Sequence, residues 1–563
     1  MNGKELNLKW VSDEIGNDYK EWKRGDIVTI NTQTGTGKTH FIINKLIGYF
    51  NLSKDYLYIC NRVELKRQIK YDLIQKYNLY KNFSINENTC DKVEIAGVVC
   101  DKKLIDDTSK FKNVTIKSYH NIIEDELEHI YYKQKNYIHK YDYIICDECH
   151  FFLTDAAFNS KSYIALNKLV NEYYDNSVRI FISATIDEVF DSINKAHDKI
   201  RDDEVFANIK KHEYSTGIDY SYINAKYFRK DKDMIQTIRN DKSNDKWLWF
   251  VASKSVGRKI KSELKEYNID AEFISAESNN REKKNISAKG SFSCKVLITT
   301  KCLDNGVNMT DEQLKNIILN AYDKVTFIQE LGRKRVNIER AQMINLYIPT
   351  LSSSKFEKLL YSSNDKLEQA LLFKEHKEEF NRKYNDNIKE IYGDIFRLDK
   401  FTGKLTINDI GLTRAVYDTL FYEEIVGKFN LKIYDQFAYI KEQLSWLGLE
   451  NTFNESNLIE EVFDDVVKDE LKMFLEKAYN NNEKFTKDYF KETVMSIINS
   501  DNNIRIKFNE IDGGNKRDKG MIKFNELFKE KLKYDYRVGS IPVYSTIDGK
   551  RKKKTYWIIT KEK

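Results

Sequence analysis

The sequence has little of what an extracellular or membrane protein needs. Its 563 residues include only seven cysteines, an odd number that does not suggest a disulfide framework. No apolar run reaches the roughly 18 residues that span a bilayer, and residues 1–16 lack the apolar core of a signal peptide. The two prolines, with abundant Lys, Asn, Ile and Tyr, indicate an A/T-rich coding sequence and no function. We therefore expect a cytoplasmic protein with reduced thiols and no membrane partner.

The chain also has almost no net charge that would indicate a partner. It carries 93 Lys and Arg against 87 Asp and Glu, a formal net charge of +6, so overall charge barely argues for nucleic acid. The distribution says more, because residues 515–563 hold fifteen basic and six acidic residues. At 563 residues the chain is too long for one core, and we expect three or four domains.

The cysteines do not indicate a metal centre. Cys146 and Cys149 have the spacing of half a zinc site, but the chain has no second pair of this kind, and Cys146 lies in an apolar run typical of a buried strand. Cys60 lies in another such run, which leaves too few cysteines nearby for an iron–sulfur cluster. We favour neither centre.

What the chain does have is a glycine-rich phosphate cradle. Gly35 and Gly37 let backbone N–H groups wrap a β-phosphate, Lys38 neutralises the β/γ charge, and the Thr39 hydroxyl can ligate magnesium. The predicted nucleotide-binding residues are Thr32, Gln33, Thr34, Gly35, Thr36, Gly37, Lys38 and Thr39.

A pair of carboxylates follows at the end of an isoleucine-rich run. Asp147 and Glu148 supply one carboxylate for a metal and one for an attacking water. A buried pair of this kind would be expensive to desolvate without a metal. The cradle and the pair, in this order, predict hydrolysis of a nucleoside triphosphate, with Lys38, Asp147 and Glu148 as catalytic residues and Thr39 as a metal ligand.

Strand and helix signals alternate over the first 215 residues and restart after a lysine-rich stretch at 228–246. Such alternation predicts parallel sheets with phosphate chemistry at the carboxyl ends of their strands. The predicted strands are Ile27–Asn31, Leu57–Cys60, Tyr143–Cys146, Arg179–Ser183, Trp247–Ala252, Lys295–Thr300 and Asn316–Asn320. The predicted helices are Thr39–Tyr49, Val63–Lys76, Val256–Tyr267, Lys355–Phe380, Arg414–Phe429 and Ile433–Leu447.

The last 80 or so residues change character again. Ile522–Leu532 has the spacing of an amphipathic helix, and Val543–Ile547 and Tyr556–Ile559 are predicted strands around an Asp-Gly turn and the basic run Lys550–Lys554. A winged-helix domain ends in this way, with its hairpin touching phosphates; the alternative is a solvated basic hairpin. We predict a nucleotide-binding domain (1–215), a second α/β domain (216–350), a helical accessory domain (351–480) and a basic C-terminal domain (481–563).

With these motifs, the chain resembles the superfamily 2 helicases of the DExH (DEAD/DEAH-box-like) type over roughly residues 20–345. The resemblance implies two tandem RecA-like domains, followed here by a mostly helical region, and ATP and Mg²⁺ as cofactors. It implies that Asp147 holds the metal and that Glu148 polarises the water. Ser183 and Thr185 resemble the motif that couples the nucleotide site to nucleic acid. We expect His150 to form an interdomain hydrogen bond rather than to bind a metal.

Other stretches resemble the family's remaining contacts. The resemblance implies nucleic-acid contacts at Asn61, Arg62, Thr115, Ser253, Lys254 and Thr300, and nucleotide contacts at Gly306 and Asn308. Two positions depart from the usual pattern: Thr32 stands where Ala or Gly is common, and Asn308 stands where Asp is frequent.

The sixth motif departs further. Gln329 and Arg333 match it, and the resemblance implies that its arginines reach the γ-phosphate of ATP. The family usually has a second arginine three residues later, where this chain has Val336, and Arg335 comes one residue early. On a helix two residues rotate by about 200°, which would point Arg335 away from Arg333. Either the helix is distorted, or Arg333 acts with less help.

These features predict an ATP-dependent helicase or translocase that binds nucleic acid through its phosphates, with DNA favoured over RNA. A phage or mobile element is the expected source, and any protein partner is expected to bind the C-terminal region. Two alternatives stay open. One is the motor of a restriction or defence complex whose nuclease is on another chain. The other is a clamp that ATP switches between states without unwinding.

Overall fold

A computed structural model describes most of the chain. The described residues are 3–60, 63–86, 89, 91–124, 141–154, 165, 167–172, 177–185, 189, 193–194, 209–275, 278, 281–300, 308–384, 390–398, 404–431, 434–459, 465–500, 521, 524–525, 527–532, 534–547 and 550–561. They form two compact units, Met1–Ile459 and Glu460–Lys563.

The first unit begins with a seven-stranded sheet and a small separate hairpin, β3–β4. The strands are β1 Ile27–Asn31, β2 Tyr56–Ile59, β3 Lys92–Ile95, β4 Val98–Asp101, β5 Lys110–Phe111, β6 Val114–Lys117, β7 Tyr143–Asp147, β8 Val178–Ser183 and β9 Lys211–Ser215. The order across the sheet is β5-β6-β2-β7-β8-β1-β9, and every pair is parallel except β5–β6. Strands β2, β7 and β8 are buried along their whole length, which is why their sequences are almost continuously apolar.

A second seven-stranded sheet follows in the same unit, with all its pairs parallel. Its region contains β10 Ile223–Phe228, β11 Lys246–Phe250, β12 Ala271–Ile274, β13 Val296–Thr299, β14 Leu314–Ile318, β15 Ile344–Pro349, the hairpin β16 Phe396–Leu398 and β17 Leu405–Ile407, and β18 Leu458–Ile459. The order across the sheet is β12-β13-β11-β14-β15-β10-β18.

Helices fill the connections between strands and most of the region after β15. The α-helices of the first unit are Val11–Ile15, Lys38–His40, Ile47–Phe50, Val63–Lys76, Lys102–Asp107, Phe151–Thr154, Asp231–Asn240, Lys254–Glu266, Arg281–Lys289, Lys324–Leu331, Ser353–Glu375, Lys377–Tyr384, Asp409–Phe429 and Ala438–Ser445. Shorter 3₁₀ and π-helical turns are Asp18–Lys20, Phe41–Leu46, Asn51–Ser53, Tyr80–Phe83, Asn167–Glu172, Glu450–Thr452 and Glu455–Asn457. Among the described residues, no helix is long and apolar enough to cross a membrane.

The helical region after β15 shares its core with the second sheet. Phe356, Phe429 and Trp446 belong to the same buried cluster as strand residues of that sheet, and the Tyr439 hydroxyl donates a 2.9 Å hydrogen bond to the Ala321 carbonyl. Strand β18 adds to the edge of the sheet beside β10. The predicted fold class is confirmed as two α/β domains with mostly parallel sheets, followed by a mostly helical region. The predicted boundaries at 216, 351 and 481 stay predictions.

The second unit contains helices and a long hairpin. Helices Asp465–Asn480 and Lys487–Ser500 and the π-helical turn Leu527–Lys531 pack against β19 Tyr536–Ile547 and β20 Lys550–Lys561. The predicted hairpin is present but longer than expected. The basic run Lys550–Lys554 lies within β20, paired with the last five residues of β19, and not in a loop. The winged helix stays a prediction.

Candidate nucleotide site

The glycine-rich turn joins the carboxyl end of β1 to a helix that begins at Lys38. Gly35 and Gly37 have φ angles of 95° and 83°, which a side chain would strain, so glycine fits this turn. The Thr36 hydroxyl donates a 2.8 Å hydrogen bond to the Gln33 carbonyl and lies 3.1 Å from the Thr32 hydroxyl. Both threonine side chains are buried, and they therefore fix the turn from within.

The Gln33 side chain points away from the turn. Its amide donates a 2.9 Å hydrogen bond to the Asp219 carbonyl, and its oxygen accepts a 2.8 Å bond from the Asp219 backbone N–H. Asp219 lies between β9 and β10, where the chain passes from the first sheet to the second. The Gln33 side chain therefore holds this connection, and its nucleotide contact stays a prediction.

The carboxylate pair lies at the carboxyl end of β7, two strands from β1 in the sheet order. Asp147 is the last residue of the strand and is almost fully buried. Glu148 has a φ of 53°, a left-handed conformation that is uncommon for a residue other than glycine and that clusters at functional sites. This bend turns the chain immediately after the strand and directs the Glu148 carboxylate toward Lys38, at 3.5 Å.

Two tyrosines that sequence reasoning missed hold Asp147 in place. The Tyr58 hydroxyl, from the neighbouring strand β2, donates a 2.6 Å hydrogen bond to Asp147 Oδ2, and the Tyr119 hydroxyl donates a 3.0 Å bond to the Asp147 carbonyl. Burial raises the pKa of each hydroxyl well above its ordinary value, so both are donors. Burial also raises the pKa of Asp147, while the charge of Lys38 opposes this.

His150 links this edge of the first sheet to the second domain. Its Nδ1 lies 3.0 Å from the Ser183 hydroxyl and 3.3 Å from Glu148 Oε2, and its Nε2 lies 2.9 Å from Gln329 Nε2. Because the Gln329 amide nitrogen is a donor, the network assigns the acceptor role to Nε2 and the proton to Nδ1. The Ser183 hydroxyl also accepts a 3.0 Å bond from the Thr185 N–H.

Residues of the second domain complete the site. The Gln329 amide donates to Glu148 Oε2 at 3.4 Å, and its oxygen accepts from Arg333 Nη2 at 3.4 Å. Lys38, Glu148, Gln329 and Arg333 therefore form an unbroken line of polar contacts from one domain to the other. All four side chains are buried or half-buried, so these contacts are little screened by solvent.

The backbone of the two domains is also in close contact here. A Cβ added at Gly332 would lie 2.7 Å from Thr34 Cγ2, and one added at Gly35 would lie 3.5 Å from the Val336 carbonyl. Only a residue without a side chain fits at 332 unless Thr34 moves. The turn of the first domain and the sixth motif therefore pack directly against each other.

The sixth motif does not continue as a helix. The helix ends at Leu331 with Gly332 as its C-cap, so Arg333 and Arg335 do not lie on a helix and the rotation of about 200° expected between them does not apply. Instead the segment pairs with the chain at Met309: Met309 N–H donates to the Arg333 carbonyl and Arg335 N–H to the Met309 carbonyl, each at 2.8 Å. Arg335 Nε donates a 2.8 Å bond to Asn308 Oδ1, which directs Arg335 toward that residue.

The predicted nucleic-acid contacts that are described lie in both sheet domains and stay predictions. Thr115 is a half-buried residue of β6, and Thr300 directly follows β13. Ser253 is the N-cap of helix Lys254–Glu266, and its hydroxyl accepts the Val256 N–H at 3.3 Å. Asn61, Arg62 and Gly306 lie outside the described residues.

The oxygen donors of the site fit magnesium. Mg²⁺ is commonly held by one or two carboxylates together with substrate phosphates. Each oxygen of Asp147 accepts one hydrogen bond, from Tyr58 to Oδ2 and from the Glu148 backbone N–H to Oδ1, which fixes the carboxylate and leaves lone pairs for a metal. Thr39 and Asp147 would hold the ion, which would neutralise phosphate charge.

Comparison with known proteins agrees with this site. Residues 8–188 match the family described as type III restriction enzyme, res subunit. No curated protein matches the chain. Among solved structures, S. cerevisiae Dbp5 bound to RNA and ADP BeF3 is 16% identical, with a TM-score of 0.39, over 59% of this chain and 81% of that chain. A DEAD box protein from the hyperthermophile Methanococcus jannaschii is 19% identical, with a TM-score of 0.33, over 62% of this chain and 88% of that chain.

The family match covers the cradle, the carboxylate pair and Ser183. Residues 8–188 are therefore a helicase-family domain of superfamily 2, as the sequence predicts.

Proposed function

We propose, from this helicase-family domain, that the chain is an ATP-dependent motor that translocates on or unwinds nucleic acid. One observation carries the proposal. Contacts of 3.5 Å or less run from Lys38 through Glu148 and Gln329 to Arg333, so residues of both domains surround the place where a γ-phosphate would lie. Hydrolysis of ATP at this place would change the contacts that join the two domains.

The contacts suggest how ATP would act on the domains. Lys38 is paired with Glu148. A γ-phosphate would compete for Lys38, which would free Glu148 to accept a proton from the attacking water. Arg333 would neutralise charge that develops on the phosphate, the role of an arginine finger. Loss of the γ-phosphate would remove the ligand that both domains share and favour opening.

The expected substrate is DNA. The family that residues 8–188 match is described as a subunit of a restriction enzyme, and restriction enzymes act on DNA. We expect contact mainly with the phosphate backbone, and therefore binding that depends little on sequence and steeply on salt.

The direct test is ATP hydrolysis by the purified chain with single-stranded DNA, duplex DNA and RNA measured side by side. We expect stimulation by DNA, and loss of stimulated hydrolysis in Lys38→Ala and in Glu148→Gln, since one lacks the phosphate countercharge and the other the base. Lys45→Ala is the matched control, because Lys45 is exposed in the next helical turn and contacts neither carboxylate in the described structure. Normal turnover in Lys38→Ala would refute the site.

A strand-displacement assay on the same samples distinguishes a helicase from a translocase or an ATP-switched clamp. Displacement that requires ATP identifies a helicase. Hydrolysis without displacement identifies a translocase or an ATP-switched clamp.

The same family description favours one more specific reading, the motor of a restriction complex whose nuclease is on another chain. Co-purification of a nuclease or methylase from the native host tests it. A chain that purifies alone and displaces strands unaided would contradict the restriction-complex function, whereas the more general proposal of an ATP-dependent motor would still hold.

A further inference from the structure

The hairpin of the second unit has two unlike halves. Strands β19 and β20 pair without interruption from Tyr536 with Lys561 to Ile547 with Lys550. Among the described residues, the unit's hydrophobic core includes four hairpin residues, all of them away from its turn: Tyr536, Val538, Trp557 and Ile559. We call the five residue pairs nearest the turn, residues 543–547 with 550–554, the arm.

The side chains of the arm that are described are exposed or half-buried. Side chains alternate between faces along a strand, so Tyr544 and Lys553 lie on the face that carries Val538 and Trp557 farther from the turn. Both Tyr544 and Lys553 are exposed, with Tyr544 at 52%. At these two positions, the face that is buried at the other end of the hairpin is exposed to solvent.

Such an arm is poorly stable by itself. Five paired residues per strand extend about 17 Å past the supported half, and a two-stranded ribbon without a packed face is only marginally stable in water. The chain nevertheless keeps a continuous register through the arm. A partner that binds the ribbon would stabilise this extension.

The charge of the arm indicates the partner. Residues 550–554 are all Lys or Arg, whereas the opposing residues 543–547 carry no charge, and the turn between them adds one acidic residue, Asp548. An exposed aromatic ring stands among the charges, because Tyr544 lies opposite Lys553. Beside the arm, Lys554 Nζ lies 5.3 Å from the centroid of the half-buried Tyr556 ring. Basic charge with interleaved aromatic residues is typical of surfaces that bind nucleic acid.

We propose that the arm binds the phosphate backbone of nucleic acid, as a contact additional to those of the two sheet domains. A two-stranded ribbon is narrow enough to enter a major groove, and its lysines would then lie among phosphates. A membrane is a poorer partner, because the arm has no continuous apolar face to insert. The inference rests on nucleic acid being the track of the proposed motor.

The test uses the full-length chain with Lys553→Gln and Lys554→Gln combined, a change that keeps side-chain length and strand propensity. Affinity for fluorescein-labelled single-stranded and duplex DNA is measured by anisotropy over a series of salt concentrations. Each lost phosphate contact lowers the slope of log K against log[salt] by about 0.7 for single strands and 0.9 for duplex. We expect weaker binding and a slope lower by about 1.4 to 1.8 in the double variant.

The matched control removes the same charge from the same unit. Lys472→Gln with Lys477→Gln changes two exposed lysines of helix Asp465–Asn480, away from the arm along the chain. We expect wild-type affinity and slope. The circular dichroism spectrum and the thermal unfolding of both double variants should match those of the wild type, which shows that each is folded.

A second measurement does not depend on losing charge. A photo-crosslinking amino acid at Tyr544 should capture labelled DNA covalently, and one at Met473, an exposed residue of helix Asp465–Asn480, should not. Wild-type affinity and slope in the arm variant, together with no crosslink at 544, would overturn the inference while wild-type protein still bound DNA. If the wild-type chain bound no nucleic acid at all, the proposed motor itself would fall.

Discussion

The two seven-stranded sheets of the first unit have the same strand order, yet among the described residues only the first sheet carries the predicted phosphate-binding turn. Reading across each sheet, β2-β7-β8-β1 corresponds to β11-β14-β15-β10. After β1 the chain makes a turn with two left-handed glycines, whereas after β10 it enters a helix whose first turn is capped by Asp233. The shared fold sets where an active edge lies, and the residues after each strand decide whether it binds phosphate.

A second pair of strands shows how the domains become complementary. Strand β7 ends at Asp147 and is followed by Glu148, while the corresponding β14 ends at Ile318 and is followed by Leu319. The second domain instead presents Gln329 and Arg333, from the end of the helix between β14 and β15. One domain supplies acids and the other supplies the donors that face them. Each half is incomplete without the other.

The largest expected effect separates the two arginines of the second domain. Arg333→Ala should lower nucleic-acid-stimulated kcat by about 10³- to 10⁵-fold, the range for an arginine finger. Arg335→Ala should cost far less, because Arg335 is directed to Asn308 and not to Gln329. Steady-state hydrolysis with saturating ATP and DNA measures both. A greater loss in Arg335→Ala would mean that Arg335 is the arginine finger, and not Arg333, which lies beside Gln329.

How far the sequence predicts this arrangement depends on the range of the contacts. Strand Ile27–Asn31 and helix Val63–Lys76 are predicted to the residue, because local apolar pattern determines them. The end of the helix at Leu331 was missed, although a glycine after the last periodic residue is a stop signal that could have located it. Local signals thus account for most of the fold, including the turn that forms the cradle.

The contacts that complete the site are long-range, and their residue types do not reveal them. Tyr58 lies 89 residues from Asp147, in a strand where any large apolar side chain would fit the pattern. Gln33 lies inside the cradle motif, and only the folded chain shows its pairing with Asp219, 186 residues away. Such residues can be found only when the strands that carry them are known to be neighbours.

The next largest expected effect tests whether the Tyr58 hydrogen bond holds Asp147 in place. Tyr58→Phe keeps the buried ring and removes the only side-chain donor to Asp147 that the described structure shows. Loss of a residue that orients a metal ligand typically costs about 10- to 100-fold in metal affinity. Titration of Mn²⁺ into the protein–ATP complex, followed by electron paramagnetic resonance, should show this weakening. Tyr56→Phe, in the same strand, is the control, and equal affinity in both variants would remove Tyr58 from the site.

The smallest expected effect tests the contact between Gly332 of the second domain and Thr34 of the first domain. Gly332→Ala would place a methyl group 2.7 Å from Thr34 Cγ2, and overpacking of this kind costs typically 1–3 kcal/mol. Because Gly332 has an ordinary helical φ of −66°, alanine does not strain the backbone, and the cost should fall on domain closure. We expect the KM for ATP to rise roughly tenfold with kcat less affected. Thr34→Ala removes the two nearest of the three atoms that the methyl would meet, so the double variant should recover most of the loss. A double variant as impaired as Gly332→Ala alone would show that this contact does not control closure.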